Sequence, residues 1–168
     1  DVGPDIVHFH HFLGFGVECL YAVRPALPPV PIVVTLHEYL SICNNHGQMV
    51  KTRNATLCQK ASTAECAMCF PDIPASRFMK RELFLKSFFS HVDMFVSPSR
   101  FLVERYVDWG LPREKMLFLE NGLEVGELAP PRPLPNDQAR RNHFGYFGQL
   151  NQFKGIKAVP IDCSPALN

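Results

Sequence analysis

The stretch Val34–Gly47, VTLHEYLSICNNHG, changes character midway: an apolar run ends on His37 and Glu38, and Cys43 follows six residues later. A histidine with an ordinary pKa near about 6.5 can donate a hydrogen bond or face developing negative charge at neutral pH, which a strand end can present to a ligand. The same residue can equally serve only to satisfy nearby backbone groups. A second histidine group, His8, His10 and His11, closes PDIVHFHH. Successive side chains of an extended chain point to opposite faces, so His8 and His10 share one side and His11 takes the other. His10 and His11, nearest the strand end, are candidates for a ligand face, with Glu38 beside His37.

The cysteines point to different chemistry. Cys66 and Cys69 in CAMC have the two-residue spacing with which two thiolates grip one tetrahedral ion, and Cys43 and Cys58 can supply the other two ligands. The intervening NNHGQMVKTRNATLCQKASTAE is poor in apolar residues, so something other than a core must order it. Zinc would do so, its binding energy being folding energy for the insertion. A four-thiolate set leaves no position open for water, so the metal expected is structural rather than catalytic. His46 can replace one thiolate, and the alternatives to zinc are free thiols, an iron–sulfur cluster or, in an oxidising compartment, a disulfide. Cys19 and Cys163 read as an apolar filler and an incidental thiol.

These residues need a framework. A chain of 168 residues, 46% hydrophobic and 20% charged, can bury a core, which excludes disordered and fibrous classes and removes the need for disulfide staples. A net charge of +1 provides no clustered basic excess of the kind that nucleic acid or an anionic membrane demands. No stretch reaches the roughly 18 to 20 apolar residues of a spanning helix, and the first residues lack a secretory signal pattern, so a cytoplasmic protein is expected. NAT at Asn54 matches the glycosylation sequon and is read as a chance match. The chain opens on Asp1 rather than Met, which predicts a natural N-terminus further upstream.

Pro4–His11 and Pro31–Tyr39 share a plan: a proline, a short unbroken Ile/Val-rich run, then histidines. Unbroken apolar runs predict parallel strands covered on both faces. Between them FLGFGVECLYAVRPALPP predicts a crossover helix with Val17, Leu20, Tyr21 and Leu13 on one face, completing a βαβ unit. After the insertion, SRFMKRELFLKSFFSHV predicts a helix with Phe78, Leu83, Phe84, Leu85, Phe88 and Phe89 as its core stripe. Arg77, Lys80 and Arg81 form a basic group that either approaches an anionic acceptor or membrane surface or is a solvated helix face. DMFVSPS is a third strand, Ser99 caps a helix RFLVERYVDW stopped by Gly110 and Pro112, and KMLFLENG is a fourth strand. That order predicts an α/β, Rossmann-like, doubly wound parallel sheet. ELAPPRPLPNDQARR then reads as a semi-rigid linker, and HFGYFGQLNQFKG as the first strand and turn of a second domain.

Four stretches, PDIVHFHH, PIVVTLHEY, DMFVSPSRFLVERYVDWGLPREKMLFLENGLE and FGYFGQLNQFKG, together resemble the N-terminal half of a retaining GT-B glycosyltransferase of the family-four, group-one type. The resemblance implies an acceptor-side domain over 1–126 with a cysteine-rich insertion over 43–69, a linker over 127–142, and the start of a nucleotide-sugar-binding domain over 143–168, the reaction taking place between them. It puts the histidine of the family's TLH motif on His37, as the catalytic contact to the transferred sugar or acceptor. Ligands of open α/β sheets bind beyond the carboxyl ends of the strands, which adds His10, His11, Glu38, Ser97 and Ser99 as substrate-side candidates. The donor diphosphate would fall on Gly148, Gln149, Lys154 and Gly155, with Lys154 as the short-range cation. Gln149 departs from the commoner arginine. The family's glycine-rich first loop would lie before Asp1 and its glutamate motif after Asn168, so the chain alone is expected to be catalytically incomplete. The implied reaction moves a sugar from a nucleotide-sugar donor to a saccharide or lipid-linked acceptor, in cell-surface polysaccharide or glycan synthesis. A non-catalytic, zinc-stapled binding module and a nucleotide-sugar epimerase of similar fold are the competing readings.

Overall fold

The structure, a computed structural model, describes residues 3–122 and the isolated positions 126, 127, 130, 148 and 154. The chain divides into two compact units, Asp1–Gly122 and Leu123–Asn168. The linker and second-domain start expected after residue 126 lie almost wholly outside the described residues, as does Cys163.

The first unit is built on one parallel sheet of four strands in chain order: β1 (Val7–Phe9), β2 (Ile32–Thr35), β3 (Met94–Ser97) and β4 (Met116–Phe118). Three helices serve as crossovers, α1 (Cys19–Ala26), α3 (Ala75–Phe89) and α4 (Arg100–Trp109), and a short helix α2 (Thr63–Cys69) lies in the insertion. This is the α/β, Rossmann-like class that the unbroken apolar runs predict. Among the described residues the strand order does not reverse, so right-handed crossovers put α1, α3 and α4 on one face of the sheet. Phe89 of α3 is the hub of that layer, with ring contacts to Phe12 (5.8 Å), to Phe95 of β3 (5.4 Å) and to Trp109 of α4 (6.3 Å).

Strand ends are fixed from below. Asp93, just before β3, accepts a hydrogen bond from the Ile32 amide at 2.7 Å and pairs with Arg24 of α1 at 2.5 Å, while Arg24 also donates to the His91 carbonyl. This latch locks β2 against β3 at their amino ends, so Thr35 and Val96 stand side by side near the opposite end. Register matters here, because a one-residue slip would turn every strand-end side chain to the other face.

Several expectations need correction. The sheet is covered on its helix side, where Ile32, Val34 and Phe95 are buried, but among the described residues Val33, Met94 and Val96 on the other face are only half-buried and Leu117 is exposed. Tyr21 and Leu13 are exposed; α1 is buried at Leu20, with Cys19 and Val23 partly buried against the core and Val17 buried just before it. Leu83 and Phe84 are exposed as well. Helix α3 is apolar around more of its circumference than one sheet can cover, and only Phe78, Leu85 and Phe89 are buried. Ser99 occupies the N-cap of α4 without a side-chain capping bond. Helix α2 was not expected at all, although Ser62 and Glu65 carry the spacing of a capping box and the Ser62 hydroxyl does accept the Glu65 amide hydrogen bond at 3.2 Å.

Candidate functional site

All four strands are parallel, so the turns that follow β1, β2 and β3 gather at one edge. There the two histidine groups of the sequence meet. Leu36 extends β2 by one more bond, its amide donating to the Val96 carbonyl at 2.8 Å, and His37 follows it out into solvent. His10, leaving β1, stacks on His37 with ring centroids 5.7 Å apart, its Nδ1 3.4 Å from His37 Nε2. His8 continues the column on the other side of His10, 4.3 Å between centroids, and its Nε2 lies 2.7 Å from the Thr35 hydroxyl.

His11 turns the other way, as strand alternation requires, and reaches Glu38: Nε2 to Oε1 is 3.0 Å. Its other nitrogen, Nδ1, accepts the Leu13 amide hydrogen bond at 2.9 Å, so the proton must sit on Nε2 and be donated to the carboxylate. Held at both nitrogens, the His11 ring gives Glu38 a fixed direction beside His37. Beneath this surface a void of about 10 Å³ is lined by His10, His11, Thr35, Glu38 and Tyr106 among others, too small for a substrate. Among the described residues the histidine face is therefore an open surface.

Two residues hold the turn that carries His37 and Glu38. Tyr106 of α4, 1% exposed, donates its hydroxyl proton to the Glu38 carbonyl at 2.9 Å, and burial pushes that phenol well above its usual range. Arg81 of α3 donates to the carbonyls of Leu40 and Ser41, the latter at 2.7 Å. Arg81 thus leaves the basic group expected on α3, while Arg77 and Lys80 stay exposed. Gly47 closes the same turn at φ +69°, where an added Cβ would stand 2.8 Å from the Leu40 nitrogen.

Ser97 is fully buried; its hydroxyl donates to the Ser99 carbonyl and accepts from the Ser99 amide, so it shapes the turn after β3 from inside, and Ser99 is half-buried above it. Of the donor-side candidates, Gly148 and Lys154 are exposed, and Gln149 and Gly155 lie outside the described residues.

Protonation of His8 opposes folding. Burial lowers the His8 pKa below its ordinary 6.5, and the neighbouring His10 and His37 lower it further. A histidine with a depressed folded-state pKa binds its proton more readily when unfolded, so stability falls as pH drops through the unfolded value near about 6.5. Denaturant midpoints measured between about pH 7.5 and pH 5 should decline, and His8→Gln should flatten that decline. A slope unchanged in the variant would remove His8 as its source.

Cys43, Cys58, Cys66 and Cys69 all line one small cavity in the insertion, together with Met49, Lys51 and Phe70. Burial raises the Cys58 thiol pKa, and burial followed by proximity to Cys43 and Cys58 raises that of Cys66 to about 11. Among the described residues no three His, Cys, Asp or Glu side chains already stand at metal-binding spacing. His46 is exposed and does not line this cavity. A larger open groove, about 950 Å³, runs along α3 between Asn44, Arg77, Lys80, Arg81 and Phe84 and does not include His37. No described helix is long and apolar enough to cross a membrane.

No curated protein and no solved structure matches the chain. The parallel α/β unit with histidines at its strand ends does coincide with a known family: residues 1–127 match Glycosyltransferase Family 4, and the chain belongs to that family.

Proposed function

We propose that the protein transfers a sugar from a nucleotide-sugar donor to a saccharide or lipid-linked acceptor, with retention, in the synthesis of cell-surface polysaccharide or glycan. The observation that carries this reading is the exposed His37 at the end of β2, stacked on His10 and flanked by the fixed His11–Glu38 pair, in a chain of Glycosyltransferase Family 4. His37 would donate a hydrogen bond to a sugar hydroxyl or meet charge building on the departing diphosphate, with Glu38 and His10 orienting the sugar around it. Lys154, with Gly148, Gln149 and Gly155, would hold the diphosphate, where most transition-state charge develops.

A lipid-linked acceptor, met by an enzyme lying against the cytoplasmic side of a membrane, is favoured by the outer side of α3. There Arg77 and Lys80 stand exposed among Met79, Leu83 and Phe84. Cationic and apolar groups on one helix face suit a phosphate-bearing lipid. The test uses the protein expressed from its complete reading frame and offered a panel of nucleotide sugars, with and without lipid-linked and free saccharide acceptors. One donor should be consumed, transfer should exceed hydrolysis when an acceptor is present, and the product should keep the donor's anomeric configuration. Neither binding nor turnover of any donor would overturn the reading, and turnover to an epimer without acceptor would replace it with the epimerase.

A further inference from the structure

We propose that Cys43, Cys58, Cys66 and Cys69 bind one structural zinc ion, which staples the insertion between β2 and α3 to the domain. These thiols come from three separated stretches of chain yet line a single cavity, Cys66 and Cys69 from one side of α2 and Cys43 and Cys58 from the loops before it. Soft thiolates in a set of four are the ligands of a closed tetrahedral zinc site. The cavity measures about 20 Å³, room for one atom-sized occupant. His46, which the spacing alone would admit as a ligand, is exposed and does not line the cavity, so the set is four cysteines.

Apolar burial orders little of the insertion, whose described contacts are mainly polar, such as Lys51 with Glu65 at 2.6 Å and Arg105 of α4 donating to the Gln59 carbonyl. From Cys43 to Phe70 only Gly47 and Met49 are buried, and the backbone pairing is one isolated bridge, Val50 to Leu57. Three non-glycine residues, His46, Met49 and Ala55, nevertheless hold left-handed conformations there, at φ +48°, +50° and +56°. Such conformations persist where the surroundings over-determine them. Four thiolates around a divalent ion carry two net negative charges. Lys51, paired with Glu65 at 2.6 Å, lines the same cavity, and Arg81, bound to the Leu40 and Ser41 carbonyls, lines the adjoining void with Cys66, so two cations lie close to that charge. As placed, no three of the sulfurs are at ligand spacing, so the ion would draw them inward from the cavity walls, its binding free energy becoming folding free energy for the loop.

The test needs no activity. Protein from the complete reading frame, purified with reductant and without chelator, should contain about one zinc per chain by elemental analysis. Cobalt exchanged for it should give thiolate charge-transfer absorption. Cys66→Ser/Cys69→Ser should abolish both signals, whereas Cys19→Ser and His46→Ala should keep them. A misfolded double variant is covered by a measurement on the unaltered protein: chelation should speed trypsin cleavage after Lys51, Arg53 or Lys60 by about tenfold or more, and added zinc should reverse it. Metal-free protein with a protected insertion, metal retained in the double variant, or a Cys66–Cys69 disulfide in place of the ion would each overturn the proposal.

Discussion

Replacing His37 with alanine is expected to lower the rate of sugar transfer by at least about 100-fold while leaving the fold intact, because a positioned proton donor contributes about 100- to 10,000-fold. Both halves follow from placement. His37 is exposed, and its described side-chain contact is to His10, so truncation removes no core contact and should change stability by no more than about 0.5 kcal/mol. If the hydrogen bond strengthens as charge develops, the loss appears in kcat with KM nearly unchanged, and His37→Gln, which keeps a donor, recovers part of it. A loss confined to KM would instead make His37 a binding contact. Steady-state kinetics of the protein from its complete reading frame, set beside its thermal unfolding, separates these outcomes. Full activity in the alanine variant would put the chemistry elsewhere and favour a binding module.

How much of this could be seen in advance depends on the range of the interaction. Strands β1 to β4 and helices α1, α3 and α4 were legible because each carries its signal locally: an unbroken apolar run, a 3.6-residue stripe, a Gly110 stop. The meeting of His10 with His37 was legible too, since parallel strands bring like ends to one edge. What was not legible is which side of each helix finds a partner. Phe84 and Leu83 sit in the same apolar stripe as Leu85, yet the sheet can cover only one flank of α3. Arg81 reads as one of three surface cations, and only the folded turn after His37 offers it the carbonyls of Leu40 and Ser41. Ser97 reads as a strand-end hydroxyl open to substrate, but the tight turn to Ser99 takes both its donor and its acceptor capacity. Such partners lie in the three-dimensional path of the backbone, which no local period encodes.

Tyr106 is where stability and the histidine face meet, and two substitutions separate its roles. Tyr106→Ala should cost about 3–5 kcal/mol, the range for emptying a buried aromatic site, because the ring is 1% exposed and packs edge-on against Trp109 at 6.1 Å. Tyr106→Phe keeps the ring and deletes only the hydroxyl that donates to the Glu38 carbonyl. It should cost about 1 kcal/mol or somewhat more, the effect of a lost hydrogen bond whose acceptor lies in a part-buried turn. Its effect on transfer should be larger than that figure implies. The turn from Leu36 to Ser41 hangs from Arg81 and Tyr106, and Glu38, whose carbonyl would be released, also carries the carboxylate that fixes His11. An orientation error of about 1 Å in a reacting group can cost about 100-fold, so kcat should fall by ten-fold or more at a temperature where the Phe variant is still fully folded. Denaturant unfolding gives the first quantity and kinetics below the unfolding transition the second. A Phe variant that loses stability but keeps its kcat would show that the hydroxyl holds up the domain without aiming the histidine face.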